Sequence, residues 1–194
     1  MTGAPRSRPS APRSLYLGPW RIDVDVRRGV RSPASIAALA RSIRASLQAA
    51  GAPSPASIGL ILADDRELAA LNREHMGDPA ATDVLSFPLL PGEAFPPHVG
   101  AATPARGNRA TSRRFVLPPG RRVHLGDIVV SVERAIAQAE AGAGGQTGDV
   151  RWSARDEMRL LVTHGALHIC GWDHADPAEE AVMRAIERDL LAGG

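Results

Sequence analysis

The chain has 194 residues, 44% of them hydrophobic, with a formal net charge of +2 and one cysteine. That length suits one domain with room for a core. The lone Cys170 excludes an internal disulfide and fits a reducing compartment, and no stretch approaches the roughly 18 consecutive apolar residues that mark a membrane span. All 23 basic residues are arginine, whose planar fork suits phosphate, but so small a net charge does not establish nucleic-acid binding.

In chain order, residues 1–14 carry Arg6, Arg8 and Arg13 among prolines and serines without an acid. Residues 1–19 are therefore expected to be a basic, disordered N-terminal tail, followed by one domain over 20–192. A transit peptide shares that composition, but Pro5, Pro9 and Pro12 would break its helix. Residues 21–26 alternate polar and apolar, which predicts a half-buried strand. Ser35 is placed to cap a helix over about 36–50, with Ile36, Leu39, Ala40, Ile43 and Leu47 on one face. A short apolar strand is expected at 57–63, then a helix capped by Asp64 or Asp65 and running to about residue 75, then a strand at 83–88.

Residues 89–122 differ in kind. They hold six prolines, six arginines and a single acid, Glu93, and read as a long Arg/Pro-rich insertion. Within it, Arg106, Arg109, Arg113 and Arg114 are the candidate RNA-binding residues. Regular pattern returns with a strand at 123–131 and a helix over about 132–141. A glycine-rich hinge at 142–148 leads to two closing helices at about 154–170 and 178–192. The fold class expected is α+β: a single domain with a small mixed β-sheet and packed helices.

Half of the six histidines, His164, His168 and His174, fall within eleven positions of the sequence His-Gly-Ala-Leu-His-Ile-Cys-Gly-Trp-Asp-His. On a helix, His164 and His168 are one turn apart on the same face. Gly171 can take the positive φ that ends a helix, so the chain turns back and delivers His174 as a third imidazole. Three neutral nitrogens with an open fourth position describe a catalytic zinc site, at the end of a helix, rather than a closed structural one. The spacing H-x3-H-x5-H is metzincin-like. However, Gly165 stands where those proteases have their general-base glutamate, which weakens a peptidase reading. Cys170 is not four residues from either histidine and reads as a small packed residue. His75, His98 and His124 lack ligand spacing.

Three ordered segments resemble the YbeY family of ribosomal RNA maturation factors: Leu71-Asn72 leading to Thr82-Asp83-Val84-Leu85-Ser86-Phe87-Pro88, then Leu125 to Ser131, then His164 to His174. The resemblance implies a metal-dependent, single-strand-specific endoribonuclease with one Zn2+ per chain on His164, His168 and His174. It further implies a cytoplasmic role in small-subunit rRNA 3′-end maturation and ribosome quality control. The partners implied are ribosomal RNA, the small ribosomal subunit and an Era-type GTPase, with no membrane. One departure stands out: many members carry an arginine where this chain has Met76, and Arg73, one turn earlier, is a candidate substitute. The general base is unassigned. Asp173 is a candidate to orient a ligand imidazole or accept a proton, and equally a capping turn residue; Asp127 is a candidate partner of a ligand or a turn residue. Alternatives left open are a zinc-dependent hydrolase of non-RNA substrates and a non-catalytic ribosome assembly factor.

Overall fold

In the computed structural model, residues 12–80, 82–98, 121–142 and 152–193 are described. Their strands are β1 (Arg13–Leu17), β2 (Trp20–Val26), β3 (Ala56–Ala63), β4 (Val84–Pro88) and β5 (Val123–Ser131). Their helices are α1 (Ile36–Ala49), α2 (Asp65–Met76), α3 (Val132–Glu140), α4 (Ala154–Ile169) and α5 (Pro177–Ala192). The strands form one sheet in the order β1-β2-β3-β5-β4. Its middle, β2, β3 and β5, is parallel, and both edges are antiparallel. This is the mixed α+β domain that the alternation of strand and helix patterns predicts.

Each helix starts where a side chain can accept orphan backbone N–H groups. Ser35, Asp64, Ser131, Ser153 and Asp176 all do so, and Ser153 forms a reciprocal capping box with Asp156. The fully buried Ile58, Leu60 and Leu62 of β3 pack with Leu39, Ile43 and Leu47 of α1 and Met158 and Leu167 of α4. A smaller cluster on the other face joins Leu68 to Leu85 and Val129. Helix α4 is buried on nearly every side, touching α1, α3, α5, β4 and β5. Truncating such a residue, for example Leu167→Ala, costs about 2–5 kcal/mol, so α4 is a stiff platform.

Two expectations need correction. Arg13–Leu17 lies within the expected tail, yet it is an edge strand paired with β2. Leu15 and Leu17 turn toward the core while Tyr16 is exposed; the basic, proline-rich surroundings masked this two-residue period. The insertion expected over 89–122 is also structured at its start. The Leu89 N–H extends the β4–β5 ladder to the Leu125 carbonyl, a 3-10 turn spans Gly92–Ala94, and Phe95 is buried in the main core. At its other end, Arg122 lies over the Tyr16 ring, 5.8 Å from the centroid. Arg106, Arg109, Arg113 and Arg114, residues 1–11, and most of the expected 142–148 hinge lie outside the described residues.

Candidate metal centre

The C-terminus of α4 closes as its sequence demands. Gly171 adopts φ +88°, its N–H bonds the His168 carbonyl at 3.0 Å, and the Trp172 N–H bonds the Leu167 carbonyl at 3.1 Å. These two bonds are the Schellman pattern, which only a residue at ease in the left-handed region permits without strain. The reversal carries the chain back along the helix. The Asp173 carboxylate then accepts the His174 backbone N–H at 2.7 Å, and Asp176 caps α5.

The result brings His164, His168 and His174 together, with one ring nitrogen from each lying within 4.8 Å of the others. The Nε2 atoms of His164 and His168 face each other at 3.0 Å. Two nitrogens sharing a tetrahedral ion at Zn–N distances near 2.0–2.1 Å lie about 3.3 Å apart, so a small relaxation makes room. The donor set fits a borderline transition metal and offers nothing that magnesium prefers. This group could hold a metal ion.

Protonation favours the same use. The His168 imidazole is pushed down from its ordinary 6.5 to about 4, first by burial and then by the neighbouring His164 and His174 charges. It is therefore neutral at physiological pH, as a ligand must be. Asp173 and a backbone hydrogen bond involving Trp172 act weakly the other way. Burial raises the Cys170 thiol to about 12, keeping it protonated and apart from the ligand set.

One partner was missed in the sequence. The carboxylate of Glu187 on α5, only 1% exposed, accepts from His164 Nδ1 at 2.8 Å. This fixes the tautomer and leaves Nε2 toward the cluster. The signal was present: Glu179, Met183 and Glu187 recur every four residues on the buried side of α5, so two carboxylates stand on an inward face. Glu179 is the other anchor. It accepts the Asp173 N–H at 2.7 Å and lies 2.8 Å from His98 Nε2, while the His98 ring stacks on Trp172 at 4.1 Å. The segment leaving β4 is thus tied to the loop that carries His174.

Beside the histidines is a cleft of about 50 Å³ lined by His164, His174, Glu180, Met183, Arg184 and Glu187, larger than the ~10–15 Å³ a single water needs. Other expected residues lie elsewhere. Arg73 and Met76 are exposed on α2, which packs mainly on β4, β5 and α3. Along β4, the Ser86 hydroxyl donates to the Gly165 carbonyl of α4, while the next residue, Phe87, meets His75 of α2. Successive strand residues face opposite ways, so α2 and the histidine helix cover opposite faces of the sheet. Asp127 lies within β5 and pairs with His124, whose Nδ1 meets Ser57; neither of the two is among the clustered histidines. Asp83 shapes the start of β4 by accepting the Val84 N–H, and also receives Gln138.

Gly165 explains the missing glutamate. A Cβ there would lie 2.7 Å from Ile128 Cγ2 and 3.1 Å from Ser86 Oγ. This position faces the sheet rather than the cleft, so a metzincin-style base has neither space nor direction.

Comparison with known proteins agrees with this geometry. The family model described as endoribonuclease YbeY matches residues 26–193. A relative so named from Symbiobacterium thermophilum is 37% identical over 76% of this chain and 77% of its own length. Another from Thermobifida fusca is 36% identical over 89% of this chain and 92% of its own. The solution structure of TM1509 from Thermotoga maritima overlaps 88% of this chain and 86% of that one at 17% identity, with a TM-score of 0.47. With a family match spanning every described element from α1 to α5 and the three histidines drawn together at the end of α4, this chain belongs to the YbeY endoribonuclease family.

Proposed function

We propose that this protein is a zinc-dependent endoribonuclease acting on single-stranded segments of ribosomal RNA. The observation that carries the reading is the convergence of three imidazole nitrogens within 4.8 Å in a chain of this family. His164, His168 and His174 would hold one Zn2+ per chain. When bound, the metal supplies Lewis acidity to a phosphoryl oxygen or to an attacking water. Glu187 holds the His164 ring in one tautomer, and Glu179 holds the loop from which His174 projects. Asp173, close enough for His168 to feel its charge, is our candidate for proton transfer; Arg73 and the arginines at 106, 109, 113 and 114 are proposed RNA contacts. The biological setting we propose is small-subunit rRNA 3′-end maturation and ribosome quality control in the cytoplasm, beside the small subunit and an Era-type GTPase. No described helix is long and apolar enough to cross a membrane.

A second reading, a non-catalytic assembly factor with a stiffening metal, draws support from Met76. It is 60% exposed on α2 and unable to contact phosphate through charge. A peptidase is disfavoured by the packing of Gly165. The test is cleavage of a single-stranded RNA oligonucleotide and of an unstructured peptide, each with and without a chelator, alongside elemental analysis. RNA cleavage that the chelator abolishes supports the proposal. Metal content of one per chain without cleavage favours the assembly factor, and peptide cleavage overturns both.

A further inference from the structure

Arg184 is unexplained by the fold. It lies on the exposed side of α5, yet it lines the cleft beside His164 and His174, where Met183 and Glu187 are the buried residues. Among the residues lining that cleft it is the one arginine. Its guanidinium is held by Glu180, one turn earlier, which accepts from both Nε and Nη2 through a single oxygen, Oε1. A guanidinium has five N–H donors, so among the described residues this grip leaves both Nη1 donors and one Nη2 donor without a partner. Those are the donors of its far edge, which suit two oxygens of one phosphate. An exposed i,i+4 pair contributes little to stability, so folding does not account for a guanidinium held in this orientation on the lining of the cleft.

We propose that Arg184 is the phosphate-contacting residue of this cleft. It binds the RNA backbone beside the histidine cluster, with Glu180 as the positioning residue that fixes its fork. The inference rests on the endoribonuclease reading and adds to it the residue that seats the substrate. The two make separate demands on experiment. Arg188, also exposed on α5 but outside the cleft lining, supplies the control for simple loss of charge.

The test titrates a single-stranded RNA oligonucleotide against wild type, Arg184→Gln, Arg184→Lys and Arg188→Gln, at several salt concentrations, with metal content and melting temperature measured for each. Wild type must bind and cleave; if it does neither, the functional reading fails and this inference with it. Given binding, Arg184→Gln should weaken affinity about tenfold and reduce the salt slope by about 0.7, the value for one phosphate on a single strand. Metal content and melting temperature should stay unchanged. Arg184→Lys should keep the salt slope while losing part of the affinity, because a point charge replaces a fork. Arg188→Gln should change affinity less than about twofold. Equal losses in Arg184→Gln and Arg188→Gln, or an unchanged salt slope in Arg184→Gln, would overturn the proposal while leaving the endoribonuclease reading intact.

Discussion

Replacing Glu187 should weaken the metal site without touching a ligand. Its carboxylate is 1% exposed and receives the His164 Nδ1 proton at 2.8 Å. Without that acceptor the ring is free to rotate and to exchange tautomers, so Nε2 no longer offers its lone pair to the cluster at all times. Loss of such an outer partner typically lowers metal affinity about 10–100-fold, which is about 1.4–2.7 kcal/mol at 1.36 kcal/mol per decade. Glu187→Ala should fall toward the larger figure, since it removes acceptor and volume together. Glu187→Gln retains an acceptor oxygen and should fall toward the smaller. Competition of Zn2+ between the protein and a chromophoric chelator measures both, with His164→Ala as the positive control and the remote His75→Ala as the negative. If Glu187→Ala binds within twofold of wild type while His164→Ala loses the ion, the carboxylate is a packing feature and the reasoning is wrong.

Four further outcomes are expected. The metal-free protein should lose stability as pH falls from about 6.5 to about 4. In that window the unfolded chain protonates His168 while the folded chain, with its value near 4, does not. His168→Gln should flatten that slope in chelator-treated thermal melts, and an identical slope would refute the assignment. Gly165→Ala should lower stability by about 1 kcal/mol net, because overpacking against Ile128 costs about 2 and the gain in helix propensity returns about 1. For a domain of this size that is a melting shift of about 2–4 °C, and a raised melting temperature would contradict the contact distances. Replacing Arg106, Arg109, Arg113 and Arg114 together by Ser should weaken RNA binding and flatten its salt dependence, and Arg73→Ala should lower RNA processing more than stability. Filter binding and rRNA maturation assays check these, with unaltered affinity and processing as the adverse results.

The parts of this molecule that were legible in its sequence are those governed by nearest neighbours. Ser35 and Asp64 cap the helices they precede, and Gly171 ends α4 as a left-handed glycine must. The three histidines were legible for the same reason, since helical spacing plus one reversal settles their meeting. What escaped depends on elements distant in sequence. Glu187 becomes a partner only when α5 crosses α4 and brings it to a histidine 23 residues away. His98 finds Glu179 across 81 residues, which no local pattern announces. The strand β1 was hidden because five residues with Leu15 and Leu17 as their only inward pair carry little periodic signal beside arginines and prolines. The position of Arg73, on the sheet face opposite the histidines, required the topology of the β4 edge.

Helix α5 shows how folding and site are joined. Its two buried carboxylates stand two turns apart, Glu179 toward His98 and the His174 loop, Glu187 toward His164. A carboxylate without a partner in such surroundings is strongly disfavoured, so α5 docks favourably only where the imidazoles and the turn are already in place. The dependence also runs the other way. His164 is held in the tautomer a metal needs, and His168 is kept neutral by burial and by its fellow histidines. Half-burying His168 against its two fellow histidines opposes folding of the metal-free chain as the pH falls below about 6.5, and an ion that binds only the folded arrangement offsets that opposition by mass action, by about 2.7 kcal/mol at a free concentration one hundred times its dissociation constant. The carboxylates of α5 therefore tie the histidine cluster to the packing of the C-terminal half, and a substitution that loosens one should loosen the other.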